Sequence, residues 1–226
     1  MTRVCIIVEG QTEQIFIHDV LAPALAESGV YVTARELGIP GHKGGRVSLA
    51  RVEKDVANLL KQDRGACCSM MVDFYGLPSE FFELPGVVLS SARSVHENAL
   101  AVEHALGGYM QSRHDVRPGR FLPYIQMHEF EGLLFASPAA MAKHTDPTLE
   151  RDFHNIASEF DSPEDIDQGS ETHPSRRIQR LFPKYQKNLD GPRIAREVGL
   201  ELLLQKCEHF RYWVASLKTI AERADA

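Results

Sequence analysis

Acidic side chains stand at the ends of three short apolar runs of this chain, and that placement is the feature most able to carry chemistry. Glu9 follows Val4-Cys5-Ile6-Ile7-Val8, Asp73 closes Ser69-Met70-Met71-Val72, and Glu129 and Glu131 follow a run from Phe121 to Met127. Carboxylates gathered at one place repel one another, and a cation between them lets them stay ionised. An all-oxygen donor set selects a hard ion, Mg²⁺ or Mn²⁺, over zinc. Such an ion would neutralise a phosphate, polarise it and activate water. Glu9, Asp73 and Glu131 are therefore the candidate catalytic and metal-binding residues, with Glu129 in support. Glu13, one helical turn beyond Glu9, and Tyr75 and His128, beside the other acids, are candidates to orient a ligand or a water. His42, Lys43, Arg46 and Arg177 are the candidate phosphate contacts. Taken singly, each acid has an ordinary structural use, capping a helix N-terminus or accepting from a loop amide. The metal reading comes from the set.

Strands must position these acids. Val4 to Val8 is a β-branched apolar run that reads as a buried parallel strand, and Gly10 lets the chain turn after Glu9. Ile15, Ile17, Val20, Leu21 and Leu25 then recur at helical spacing up to Gly29. Val30, Val32 and Ala34 alternate in a second strand. Residues 38–46 form a glycine-rich loop, and Ser48 can cap a helix whose apolar face is Leu49, Val52, Val56, Leu59 and Leu60. Ser69 to Asp73 is the third strand. Ser94 and Glu97 form a capping box before a helix with Val95, Ala99, Val102, Leu106 and Met110 on one face. Phe121 to Met127 is the fourth strand. From Ser137 onward the pattern is mostly helical, with Ser137-Pro138 and Ser162-Pro163 as helix starts, Asp161 to Gly169 as an acidic surface excursion, and a helical run from Leu200 to Ala221. Cys207, Phe210 and Trp213 belong to its apolar face.

Strands alternating with helices predict an α/β fold with a mainly parallel sheet, residues 1–136, and a helical extension, residues 137–226, packed on it as one unit. In open parallel sheets ligands bind at the carboxyl ends of the strands, where these acids fall. Composition fits this class: 226 residues, 43% hydrophobic and 25% charged, with no apolar stretch long enough to span a membrane. Four cysteines without CxxC spacing indicate neither a zinc framework nor a disulfide scaffold, which favours a reducing cytoplasm. The net charge of -6 argues against a constitutively basic nucleic-acid coat, although Arg176, Arg177, Arg180, Lys184, Lys187, Arg193 and Arg196 cluster after His173. No Walker A, G-x-S-x-G or Rossmann glycine triplet is present.

Val8-Glu9-Gly10-Gln11-Thr12-Glu13 resembles the V-E-G-x-[ST]-E opening of Toprim domains, the fold of primases, topoisomerases and overcoming-lysogenization-defect nucleases. More closely, the chain resembles domain-of-unknown-function family 4276. The residues that carry this are Gly41-His42-Lys43-Gly44-Gly45, Val72-Asp73-Phe74-Tyr75-Gly76-Leu77-Pro78, His128-Glu129-Phe130-Glu131-Gly132-Leu133-Leu134-Phe135, His173-Pro174-Ser175, and Cys207, Phe210 and Trp213. The resemblance implies a four-stranded parallel sheet, a Mg²⁺-dependent phosphoesterase or nuclease acting on nucleic acid, and Glu9 as general acid or base. It also implies a setting in phage defence beside a partner ATPase. Toprim enzymes bind magnesium through Asp-x-Asp; here the matching stretch is Asp73-Phe74-Tyr75, so the second aspartate is missing. Glu131 is the substitute the resemblance suggests. A non-catalytic binding or regulatory module on the same scaffold is the alternative.

Overall fold

The computed structural model describes residues 2–38, 47–89, 94–166, 169 and 171–224, with side chains through residue 220. Four parallel strands form one sheet in the order β2-β1-β3-β4: β1 (Thr2–Val8), β2 (Val30–Glu36), β3 (Ala66–Asp73) and β4 (Phe121–Gln126). The registers Val8↔Met71 and Asp73↔Gln126 bring the carboxyl ends of the three adjacent strands β1, β3 and β4 into line. The predicted α/β class is what the chain adopts.

Both faces of the sheet are covered, which is why its central strands are apolar throughout. Ile7, Cys68, Met70, Val72 and Ile125 pack under α3 (Leu49–Gln62) and α5 (Val95–His114). Both caps read from sequence are present: Ser48 accepts from the Arg51 amide, and Ser94 with Glu97 closes a capping box. Between β3 and α5 lies the short α4 (Ser79–Phe82). The opposite face of the sheet carries Val4, Ile6, Val8, Met71 and Tyr124. It is covered by α1 (Gln11–Phe16), which continues through a π-helical turn (Ile17–Leu21) into α2 (Ala22–Ala26), and by the C-terminal helices.

Those C-terminal helices are α6 (Glu131–Leu134), α7 (Pro138–His144), α8 (Glu150–Ala157), α9 (Pro174–Leu181), α10 (Lys187–Val198), α11 (Leu200–Lys206) and α12 (Glu208–Ala224). Phe210, Trp213 and Cys207 are core residues, as predicted. Trp213 stacks on Tyr124 at 4.3 Å and donates to Ser69 Oγ, so α12 is tied to the middle of the sheet.

Two expectations are corrected. The run from Leu200 to Ala221 is two helices, because Cys207 is extended (φ -115, ψ 101) between α11 and α12. The acidic segment from Asp161 to Gly169 is not simply a surface excursion. Ser162-Pro163 opens only a three-residue 3-10 turn, Ile166 is buried, and Glu164 is buried with its carboxylate accepting from the His209 and Phe210 amides at 2.9 Å. The otherwise orphaned amides of the first turn of α12 supply the reason for burying an acid there.

Among the described residues no helix is long and apolar enough to cross a membrane.

Candidate functional site

Glu9 leaves the end of β1, Asp73 is the last residue of β3, and the chain beyond β4 turns sharply into α6. His128 adopts a left-handed conformation at this turn (φ 58), uncommon for a residue with a Cβ, and its carbonyl accepts from the Tyr75 amide at 3.0 Å. The two loops at the carboxyl ends of β3 and β4 are thereby joined. A second bond joins them where Asp73 Oδ1 accepts from the Phe130 amide at 3.0 Å.

Four carboxylates meet here. Burial raises the pKa of Asp73 well above the usual aspartate range, and Glu13, Glu9 and Glu131 add repulsion. Glu13 is pushed up to about 7 by burial and by Glu9 and Glu131. Glu9 and Glu131 are raised mainly by burial. Glu13 is nonetheless held in place, because its Oε2 accepts from the Gly10 amide at 3.1 Å as the third residue of α1. Glu9 is the least satisfied of the four: its carboxylate takes the Asp73 amide, but Oε2 is buried without a hydrogen-bond partner. Gly76 packs against it, since a Cβ there would lie 3.6 and 3.7 Å from the two Glu9 oxygens.

Glu129 and Glu131 both belong to the site, but not through strand geometry. β4 stops at Gln126; Glu129 lies in the following turn and Glu131 opens α6. They converge on Lys187, the first residue of α10, whose Nζ lies 3.2 Å from Glu131 Oε2 and 3.6 Å from Glu129 Oε1. Burial works against the Lys187 ammonium, but Glu131, Glu129 and Asp73 hold it firmly protonated. Tyr185 donates to Glu131 Oε1 at 3.4 Å. Burial also opposes ionisation of Glu129, yet Lys187, Ser175 and His173 hold its pKa below the ordinary range. Glu129 Oε2 accepts from the Ser175 amide at 2.9 Å in the first turn of α9 and lies 3.1 Å from His173 Nδ1. Tyr75 stacks on the His173 ring at 5.3 Å and is 48% exposed.

The structure therefore brings together Glu9, Glu13, Asp73, Glu129, Glu131, Tyr75 and the His128 backbone. Arg177 is engaged with the Thr172 carbonyl, Glu159 and the face of Phe160, none of which belongs to the carboxylate group. His42, Lys43 and Arg46 lie outside the described residues. The sequence reading missed Lys187, Tyr185, Ser175 and His173 as members of the site. Lys187 was one of seven basic residues in a row of helices, and only its place at a helix start set it apart.

The donor chemistry suits a hard divalent ion: all oxygen, mutually repelling, with one buried carboxylate oxygen unpartnered. As the side chains stand, no three His, Cys, Asp or Glu among the described residues already enclose a single ion, and Lys187 supplies the counter-charge. A cavity of about 370 Å³ lined by Cys67, Pro118, Phe121 and Ile220 lies near the opposite, amino edge of the sheet and is remote from this chemistry.

A parallel α/β sheet with acids collected at its carboxyl edge is the class that fold and site define. The chain matches the family described as domain of unknown function (DUF4276) over residues 8–218 and belongs to it. No curated protein matches it. It is similar to two solved structures of the C-terminal region of the Xanthomonas campestris pv. campestris OLD protein, one phased with mercury and one with iodine. These align with TM-scores of 0.45 and 0.44 at 19% and 17% identity, covering 99% and 100% of this chain and 98% and 99% of those chains.

Proposed function

We propose that the chain is a metal-dependent phosphoesterase or nuclease, with Asp73 and Glu131 holding Mg²⁺ or Mn²⁺ and Glu9 completing the site or moving a proton. The observation that carries this is Glu9 Oε2, buried and unpartnered beside Glu13 and Asp73, whose pKa values are raised by burial and by neighbouring carboxylates. A bound ion would neutralise a phosphate and lower the pKa of an attacking water. Glu13 anchors the Gly10 turn and so fixes Glu9. Lys187 offers the phosphate a cation beside the acids, and Glu129 and Tyr185 hold that cation and Glu131 in place. His42, Lys43 and Arg46 are proposed to add phosphate contacts from their loop.

The test is hydrolysis of DNA, RNA and a chromogenic phosphodiester with Mg²⁺ or Mn²⁺. Glu9→Gln and Asp73→Asn are expected to lose about 100-fold or more in rate while keeping a cooperative thermal unfolding transition. Wild-type rates in both would overturn the proposal.

A second reading, a non-catalytic module that docks on a partner ATPase, is favoured by Tyr75 standing where the Toprim pattern has its second aspartate and by Lys187 already neutralising Glu129 and Glu131. Its signature would be saturable partner binding undiminished in the same two variants, with no cleavage by wild type.

A further inference from the structure

The carboxylate site has an aromatic neighbour that its acid chemistry does not need. Tyr75 lies two residues beyond Asp73, and the next residue, Gly76, abuts the Glu9 carboxylate. A large apolar ring left 48% exposed at such a place is held there by a chain of contacts. Its amide donates to the His128 carbonyl, which fixes the loop. One face of its ring rests on His173 with the planes 27° apart. His173 is in turn pinned, with Nδ1 3.1 Å from both Glu129 Oε2 and Ser175 Oγ. The tyrosine is thus backed by an imidazole that cannot easily turn away, and part of its surface is offered to solvent.

We infer that Tyr75 is a stacking platform for an unpaired base, and that the substrate is a single-stranded segment of nucleic acid. The inference rests on the reading of the carboxylate group as a phosphodiester-cleaving site. Every base has a π-face, so an aromatic platform binds single strands with little regard to sequence, whereas in a duplex those faces are covered by neighbouring bases. A base seated on Tyr75 would bring its sugar-phosphate toward Asp73, two residues before the platform, and Glu9, whose carboxylate abuts the adjacent Gly76. Aromatic side chains backed on one face also lose little freedom on binding, since tyrosine has only two rotatable torsions to fix.

Fluorescence anisotropy of a labelled oligodeoxythymidylate and of a blunt duplex, with Ca²⁺ in place of Mg²⁺ or Mn²⁺, measures the two affinities on the full chain. Wild type is expected to prefer the single strand. Tyr75→Phe and Tyr75→Trp should keep that preference, and Tyr75→Ala should bind the single strand roughly 5- to 150-fold more weakly. Emission from Tyr75→Trp should be quenched by the oligonucleotide, and wild type, whose single tryptophan Trp213 is buried, supplies the background emission to subtract. Equal single-strand affinity of Tyr75→Ala and wild type, or a bound oligonucleotide that leaves Tyr75→Trp emission unchanged, overturns the platform. If wild type cleaves oligonucleotides and Tyr75→Ala does so with an unchanged KM, the platform fails while the hydrolytic reading stands. If wild type cleaves no phosphodiester under any of these ions, the hydrolytic reading fails and takes the inference with it.

Discussion

Glu164 and Glu103 are buried about as deeply as Glu131 and Glu13, yet they are surrounded by donors instead of by other acids. Glu164 spans the His209 and Phe210 amides at the start of α12. Glu103 Oε1 accepts from the Ile125 amide of the edge strand β4 at 2.7 Å and from His209 Nε2 at 2.8 Å. His209 Nδ1 continues the chain to His96 Nε2 at 3.1 Å. These acids hold α5, β4 and α12 together, and their placement is explained once their partners are counted. At the carboxyl edge of the sheet, burial raises the pKa of Glu9, Glu13, Asp73 and Glu131, a neighbouring carboxylate adds to each shift, and one oxygen of Glu9 has no partner. A fold that can satisfy buried acids in one region and leaves them repelling in another is spending stability where a ligand would recover it.

The largest effect should come from breaking the satisfied region. Glu164→Ala removes the acceptor of two buried amides, which should lower the free energy of unfolding by about 1–3 kcal/mol in a denaturant titration. An unchanged midpoint would show that the α12 amides find other partners.

Burial raises the carboxyl of Glu164 as it raises those of the site acids, so an opposite pH slope in the satisfied region comes from His96 and not from its acids. Glu13 has its pKa raised from 4.5 to about 7, so between those values the folded chain keeps a proton that the unfolded chain has lost. Its contribution is full below about 4.5 and is lost as pH rises through about 7 in the metal-free protein. Asp73, Glu9 and Glu131 act in the same direction. Glu13→Gln keeps an acceptor for the Gly10 amide and should flatten this descent in a series of thermal melts.

A smaller effect of opposite sign comes from His96. Burial and then His209 depress its pKa below 6.5, while Glu103, Glu208 and Asp165 oppose them in part. The folded chain therefore binds fewer protons, and the His96 contribution is present above about 6.5 and lost as pH falls. His96→Gln can still donate to His209 and should remove that acid-side loss alone. Melts of the two variants that change on the same side of neutrality would contradict the opposite signs assigned to Glu13 and His96.

Much of the site was legible in the sequence because strands ending in acids leave a plain signature. Val4 to Glu9 and Ser69 to Asp73 each read as an apolar run closed by a carboxylate, and parallel pairing alone puts both at one edge. The Ser48 cap, the capping box of Ser94 and Glu97, and the core roles of Phe210 and Trp213 were equally local. Glu131 was expected at a strand end, but it stands at a helix start reached through the left-handed His128. Lys187 and Glu164 were hidden because their roles depend on partners 56 and 45 residues away. A basic residue among many and an acid among many carry no local mark of burial.

Differential scanning calorimetry of wild type and Asp73→Asn, each titrated with Mg²⁺ and with Mn²⁺, tests the central claim most directly. A ligand that binds only the folded chain raises its melting temperature in proportion to the logarithm of its concentration above Kd. The account predicts a rise for wild type with either ion and none for Asp73→Asn. No rise in wild type, or the same rise in both proteins, would contradict it.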